Sequence, residues 1–258
     1  MAGNELDVCK FLLSNIGILN LKHIGKLWEI GAPSNNTQGF VIVQTLNDLS
    51  KILTSDSRKK ADVYLNRIGV SIKQSGGSVA YNRLQRASIL NVYSMLGFER
   101  PDIKITQIDE EVYKFHQGLL TSRNRPWAYF FSEADFKKLL NFFMLIGSAN
   151  YGISPHPARF ILEAPALNLS QENLNIYSFD EYFDRYKEKF SIAIRRQWIG
   201  QLSQSEHSRA LSMASKIENL PWVFTDIVGK PRGDMNWRED FPISQRRTVY
   251  FLMIEKAK

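Results

Sequence analysis

Residues 58 to 86 read RKKADVYLNRIGVSIKQSGGSVAYNRLQR, gathering an aspartate, lysines, a serine and arginines around two short apolar runs. Charge at this density beside a strand pattern suits a charged ligand. A two-residue turn at Asn66-Arg67 pairs Leu65 with Ile68, Val63 with Val70 and Ala61 with Ile72, all apolar and on one face. The other face then pairs Tyr64 with Gly69, Asp62 with Ser71 and Lys60 with Lys73. A slip of one residue would mix the two sets, so the pattern itself selects the register. Two lysines facing each other across strands repel by up to about 1 kcal/mol. Asp62 between them relieves that repulsion, and so would a bound phosphate. Taken alone, an Asp–Lys pair on a solvated strand is the plainer reading.

The pattern does not stand alone, because this hairpin resembles the catalytic core of the PD-(D/E)xK nuclease superfamily, which includes most type II restriction endonucleases. In that family an Asp starts the second core strand. An acidic or other polar residue sits on the third, two positions before a Lys. Here ADV supplies Asp62, SIK supplies Ser71 and Lys73, and the apolar Ile72 fills the position between. The likeness runs over about residues 37 to 98. It implies that Asp62 binds a divalent metal and that the Ile72 carbonyl is a second ligand. It also implies that Lys73 orients or deprotonates the attacking water, so that Asp62, Ser71 and Lys73 form the catalytic set. Mg²⁺ is the implied cofactor, since it prefers hard oxygen ligands. Ser71 departs from the family's usual acid, and a hydroxyl is a weaker ligand than a carboxylate. An acid from an upstream helix often contributes in the family. Gln38, Gln44 and Asp48 are the polar candidates in the matching helix, with Glu5 and Glu29 further off.

The stretch after Lys73, QSGGS, offers Ser75 or Ser78 as the cap of a helix expected over Val79 to Leu96. Gly76 and Gly77 would let backbone approach a phosphate closely. Arg83 and Arg86, flanked by Asn82 and Gln85, then form a phosphate-contacting face, to which Lys60 adds. A flexible turn and a solvated helix are the bland alternatives. The loop GKPRGDMNWREDFPISQRR, residues 229 to 247, carries Lys230, Arg232, Arg238, Arg246 and Arg247 interleaved with Asp234, Asn236 and Trp237. Arg reads guanine, Asn reads adenine and Asp accepts from cytosine, so this is a candidate major-groove reader. A shorter candidate spans residues 121 to 127, with Arg123 and Arg125.

The elements that must carry these residues are mixed. Amphipathic helices are expected near the N-terminus, over QGFVIVQTLNDLSKIL, Asp109 to Leu120, SEADFKKLLNFFMLIG, QSEHSRALSMASKIENL and the long SFDEYFDRYKEKFSIAIRRQWIGQL. Strands are expected at IKITQI, RFILEA, WVFTDIV and TVYFLMIEK. This is an α/β (α+β) pattern: a central mixed sheet flanked by helices, with inserted recognition loops. It reads as a single domain over 1–258 with a catalytic core at about 37–131.

The net charge of +7 is uneven. Residues 55 to 104 and 186 to 258 are each net +5, whereas 105 to 185 are net −3. Two basic regions suggest a polyanion partner. The single cysteine, Cys9, excludes an internal disulfide and suits a cytoplasmic protein; it reads as buried core. His23, His116, His156 and His207 lack metal-ligand spacing and read as structural. The N-terminus lacks the positive start of a signal peptide, and no apolar run approaches the roughly 20 residues that span a bilayer. The function that the resemblance to the nuclease superfamily implies, with the basic regions in keeping, is a Mg²⁺-dependent endonuclease cutting double-stranded DNA at a specific site, within restriction-modification. A repair or recombination nuclease of the same superfamily and a non-catalytic DNA-binding protein are the alternatives. A double-strand cut made with two such sites implies a homodimer, with a monomer the other arrangement.

Overall fold

The computed structural model describes residues 4–34, 39–52, 58–231 and 236–258. The chain is mixed α/β and divides into two compact units. One comprises Met1–Val79, Lys137–Lys189 and Lys256–Lys258; the other comprises Ala80–Phe136 and Phe190–Glu255. The helices are α1 Glu5–Ser14, α2 Leu46–Ile52, α3 Arg86–Met95, α4 Pro101–His116, α5 Glu133–Asn141, α6 Phe179–Tyr186 and α7 Gln204–Ala214. The strands of the two larger sheets are β1 Ile30–Pro33, β2 Phe40–Ile42, β3 Val63–Leu65, β4 Ile68–Gln74, β5 Val79–Leu84, β6 Asn124–Pro126, β7 Phe160–Ala164, β8 Asn175–Tyr177, β9 Phe190–Ile199, β10 Val223–Phe224 and β11 Arg247–Lys256.

The first unit is built on a six-stranded sheet of order β8-β7-β4-β3-β1-β2. Only β7 and β4 pair in parallel; the other neighbours are antiparallel. The expected hairpin is β3–β4, with Leu65–Ile68, Tyr64–Gly69 and Val63–Val70 in the expected register. Asn66 and Arg67 both adopt positive φ, 47° and 69°, which matches a two-residue turn to the twist of its strands. Neither is glycine, so the turn needs support. The Asn66 carboxamide supplies it, accepting from the amides of Trp28 and Glu29 at 3.0 and 3.2 Å and donating to the Lys26 carbonyl at 2.9 Å. Val63, Val70 and Ile72 face a core shared with Val8, Cys9 and Leu12 of α1. The sheet takes β1, β7 and β8 from outside residues 37–131.

The second unit carries the sheet β10-β11-β9-β6, with β5 also on β11. Helix α7 packs on β9 through Ala210 and Met213, beside Ile199, Val249 and Phe251.

Several expected elements form otherwise. Val79–Leu84 is a strand, not a helix start, because it completes a ladder with β11. The long helix expected from Ser178 stops at Tyr186, and FSIAIRRQWI becomes β9. Its β-branched and aromatic residues are buried on a sheet, where they pack well. IKITQI lies inside α4. Pro101 opens that helix, and Ile105, Ile108 and Val112 recur at helical spacing as its buried face. FVI is strand β2 ahead of the short α2. The helix over 132–147 forms as α5 followed by a π-helical turn at Phe142–Ile146, RFILEA forms β7, and Ser178 caps α6.

Candidate active site

The site lies in the first unit, where the hairpin stops pairing. Val63 is the last registered partner of Val70, yet the Asp62 amide also donates to the Val70 carbonyl at 2.9 Å. Two residues facing one is the pattern of a β-bulge, which re-aims a side chain. The expected pairs Asp62–Ser71, Ala61–Ile72 and Lys60–Lys73 therefore do not continue the ladder. Instead the amides of Lys60 and Ala61 donate to the His156 carbonyl at 3.0 and 2.9 Å. Gly69 permits this close passage: a Cβ there would sit 2.5 Å from the Pro157 carbonyl.

Asp62 compensates for the ladder that stops. Its carboxylate accepts the Ile72 amide at 2.6 Å and the Ser71 hydroxyl at 3.2 Å. Lys73 donates to Ser71 Oγ at 2.7 Å and to the Ile72 carbonyl at 3.0 Å, and its Nζ lies 3.9 Å from Asp62 Oδ2. The expected catalytic set and both expected metal ligands thus share one place, Asp62 and Lys73 both partly exposed. Lys60 stands nearby, and its Nζ donates to the Phe143 carbonyl at 2.8 Å. Burial first, then the charge of Lys73, lowers its pKa to about 8.

Glu5 joins this group. Asn4 pins the start of α1 to the end of β7 by donating to the carbonyls of Ala164 and Pro165 at 2.9 and 2.6 Å. That end of β7 is in register with Lys73 and Gln74. Burial, and then the negative charge of Asp62, raise the Glu5 carboxyl above its ordinary range, while Lys73 opposes them. Of the other upstream candidates, Asp48 accepts from the amides of Gln44 and Thr45 at the start of α2, and Glu29 pairs with Arg67 at 3.2 Å. Gln38 lies outside the described residues. Glu5 was one of the upstream acids that the sequence offered without choosing among them; the contact of α1 with the end of β7 brings it here.

The donor set is all oxygen: the Asp62 carboxylate, the Ile72 carbonyl and the Ser71 hydroxyl, with the Glu5 carboxylate close enough to sense their charge. One cation, the Lys73 ammonium, already draws on the first three. Hard oxygens on one cation fit Mg²⁺ with water and phosphate completing its shell. Among the described residues no group of three or more His, Cys, Asp and Glu could hold a metal ion by itself.

The remaining candidates divide. Ser75 to Ser78 form a turn rather than a helix cap: Gly76 has φ +68°, and the Gly77 amide donates to the Gln74 carbonyl at 3.1 Å. Asn82 lies in β5, its side chain outside the described residues. In the second unit Arg83, Arg123 and Lys230 line one cavity. Arg86 is committed to Asp109, with N–O distances of 2.8 to 3.1 Å, and to the Glu218 carbonyl. Arg125 pairs with Glu111 at 2.9 Å. Arg246 lies over the Trp237 ring at 4.8 Å and donates to the Arg238 carbonyl, while Arg247 donates to the carbonyls of Ser244 and Arg246. Arg238 bonds Asp240 and Gln204, and the Asn236 carbonyl accepts from Leu202. These residues hold their own loop in shape. Arg232 and Asp234 lie outside the described residues.

The four histidines are structural. His156 bonds Tyr64 and the Ser34 carbonyl, His23 bonds Glu181, His116 stacks on Phe224, and His207 accepts from the Gly200 amide. Cys9 is buried, and burial above all pushes its thiol up to about 12. Among the described residues no helix is long and apolar enough to cross a membrane. Compared with protein-family models, curated proteins and solved structures, the chain finds no match.

Proposed function

We propose that the first unit carries the active site of a metal-dependent DNA endonuclease of the restriction type. One observation carries the reading: Lys73 Nζ gathers Ser71 Oγ, the Ile72 carbonyl and the Asp62 carboxylate at 2.7, 3.0 and 3.9 Å. A phosphodiester resists hydrolysis because its own negative charge repels an attacking hydroxide. Asp62, the Ile72 carbonyl and Glu5 would hold Mg²⁺, which neutralises phosphate charge and acidifies a bound water. Lys73, its amine fixed by two oxygens, places positive charge against the phosphoryl oxygens as the P–O bond breaks. Ser71 holds Lys73 in place. The bulge keeps Asp62 aimed at this point.

Plasmid DNA incubated with the purified protein and Mg²⁺ tests the reading. Fixed fragments are expected, and they disappear with EDTA. Cutting confined to damaged or branched DNA would make it a repair nuclease instead. Binding with no cutting under any divalent cation would remove the catalytic assignment. A double-strand cut then takes two copies of the site, supplied by a homodimer.

A further inference from the structure

We infer that the cavity of the second unit is a nucleotide pocket: it takes one nucleobase together with its phosphate. The cavity measures about 430 Å³, within the range of about 300–1,000 Å³ typical of small-molecule sites. Arg83, Arg123, Arg195, Arg196 and Lys230 line it against a single carboxylate, Glu206. Part of this charge is already matched: Arg195 pairs with Glu255, and Arg83 lies 3.4 Å from Glu206. Among the described residues Arg196 and Lys230 have no carboxylate at ion-pair distance; Arg196 is hydrogen-bonded to the Tyr250 hydroxyl, a neutral partner, so the charge of both is left for an anion.

The base half of the site rests on two glutamines. Gln197 and Gln201 are 4% and 2% exposed, and both line the cavity. The Gln197 amide donates to Glu206, leaving its Oε1 without a partner; the Nε2 of Gln201 has none either. An unpartnered buried polar atom costs about 1–3 kcal/mol, so a ligand that brings a donor and an acceptor to these two amides in the cavity lining is favoured. The edge of a nucleobase does so. Aromatic rings and arginine guanidiniums are the surfaces on which bases stack. Here Arg196 lies 5.6 Å from the Trp198 ring and 5.9 Å from that of Phe115. Trp198 is locked by its Nε1, which donates to the Val228 carbonyl at 3.0 Å. Gly229, at φ +74°, lets the backbone pass Arg196, and a Cβ there would come 3.0 Å from the guanidinium. None of these cavity residues belongs to the hairpin site, and only the source of the nucleotide rests on the DNA reading. A free nucleotide and a base turned out of a nucleic-acid strand offer the same chemistry.

The test uses the full chain in EDTA, so that binding is read apart from cleavage. Trp fluorescence and calorimetry follow titration with the four deoxynucleoside 5′-monophosphates, inorganic phosphate, a mixed-sequence oligonucleotide and its abasic counterpart. At least tenfold tighter binding of a base-bearing ligand than of its baseless counterpart is expected. Gln201→Leu should reduce that preference to near parity, and Lys230→Ala should weaken both ligands alike. Lys230 is exposed, so its variant also covers the case in which Gln201→Leu misfolds. Preference among the mononucleotides would identify a free nucleotide as the ligand, and preference seen only in the oligonucleotide would identify an extruded base. Equal affinity for phosphate, abasic strand and base-bearing ligands overturns the inference, whatever the plasmid digest gives. No binding of any of them overturns it too.

Discussion

The Lys73 ammonium is fixed by a hydroxyl and a carbonyl before any substrate arrives. Its contact with Asp62, at 3.9 Å, falls on Oδ2, the oxygen that also accepts from Ile72 and Ser71, which leaves Oδ1 for a cation. On the proposed function, Asp62→Ala and Lys73→Ala should each lower single-turnover cleavage about a thousandfold, because each removes several kcal/mol of transition-state stabilisation. DNA binding in EDTA should persist in both; near-normal cutting by either would sink the assignment. Ser71→Ala should slow cleavage far less, since it loosens Lys73 without removing charge. Glu5→Gln should shift the Mg²⁺ requirement upward, with cleavage recovered at high Mg²⁺. A Glu5→Gln enzyme whose Mg²⁺ curve overlays the original would exclude that carboxylate from the metal. Asp62, Ser71, Ile72 and Lys73 were legible in the sequence because they sit within a dozen residues on one hairpin. Glu5 was legible only as one of several upstream acids, since the contact of α1 with the end of β7 that brings it there is not local.

At the scale of the element, the β3–β4 hairpin was readable because its alternation fixes the register through Val63–Val70. Its divergence at Asp62 was not. The bulge depends on the carbonyl of His156, nearly a hundred residues away, and no local pattern announces that. β5 and β9 were hidden for a related reason: they become strands by pairing with β11 and β6, and their apolar spacing alone also suits a helix. The turn gives a direct test. Asn66→Ala keeps the positive φ but loses the carboxamide bonds, and should cost about 2 kcal/mol from one or two lost hydrogen bonds and left-handed strain. Chemical denaturation reads this, and an unchanged midpoint would show that the turn needs no side-chain support. Helix α6 gives a second. Bonds from Lys22, from the Ser178 amide and from His23 hold the Glu181 carboxyl down at about 2, against an ordinary 4.5. A depressed carboxylate adds stability above its unfolded pKa and loses it as pH falls through the folded one. Glu181→Gln should therefore be less stable at pH 7 and should lose less between about pH 4.5 and 2. Parallel acid-unfolding curves for the two proteins would refute this.

Over the whole molecule, the chain leaves the first unit twice and returns to it at Lys256. Composition made a mixed fold with two basic regions legible, yet no composition shift marks these crossings. The division depends on which strands find each other. Lys256 shows what the last return does. Its Nζ lies 3.6 Å from Glu163, and both side chains are 3% exposed. Tyr186 donates to Glu163 at 2.6 Å, and Lys256 lies 4.1 Å from the Tyr186 ring. Glu163 is also the registered neighbour of Lys73 on β7. Lys256 thus neutralises a buried carboxylate that stands beside Lys73 in the sheet, and on the proposed function this keeps that carboxylate from drawing on the Lys73 ammonium. Removing one partner of a buried pair costs about 3–5 kcal/mol, whereas replacing both with apolar groups is often neutral. Lys256→Met should therefore unfold at markedly lower denaturant and also cleave more slowly. Glu163→Leu should lose stability as well, because it leaves the Lys256 ammonium buried alone. The double variant Glu163→Leu with Lys256→Met should recover most of the stability and most of the cleavage. Chemical unfolding and single-turnover cleavage on the four proteins complete the cycle. Strictly additive losses would mean that the two residues act separately and that Lys256 does nothing to shield Lys73.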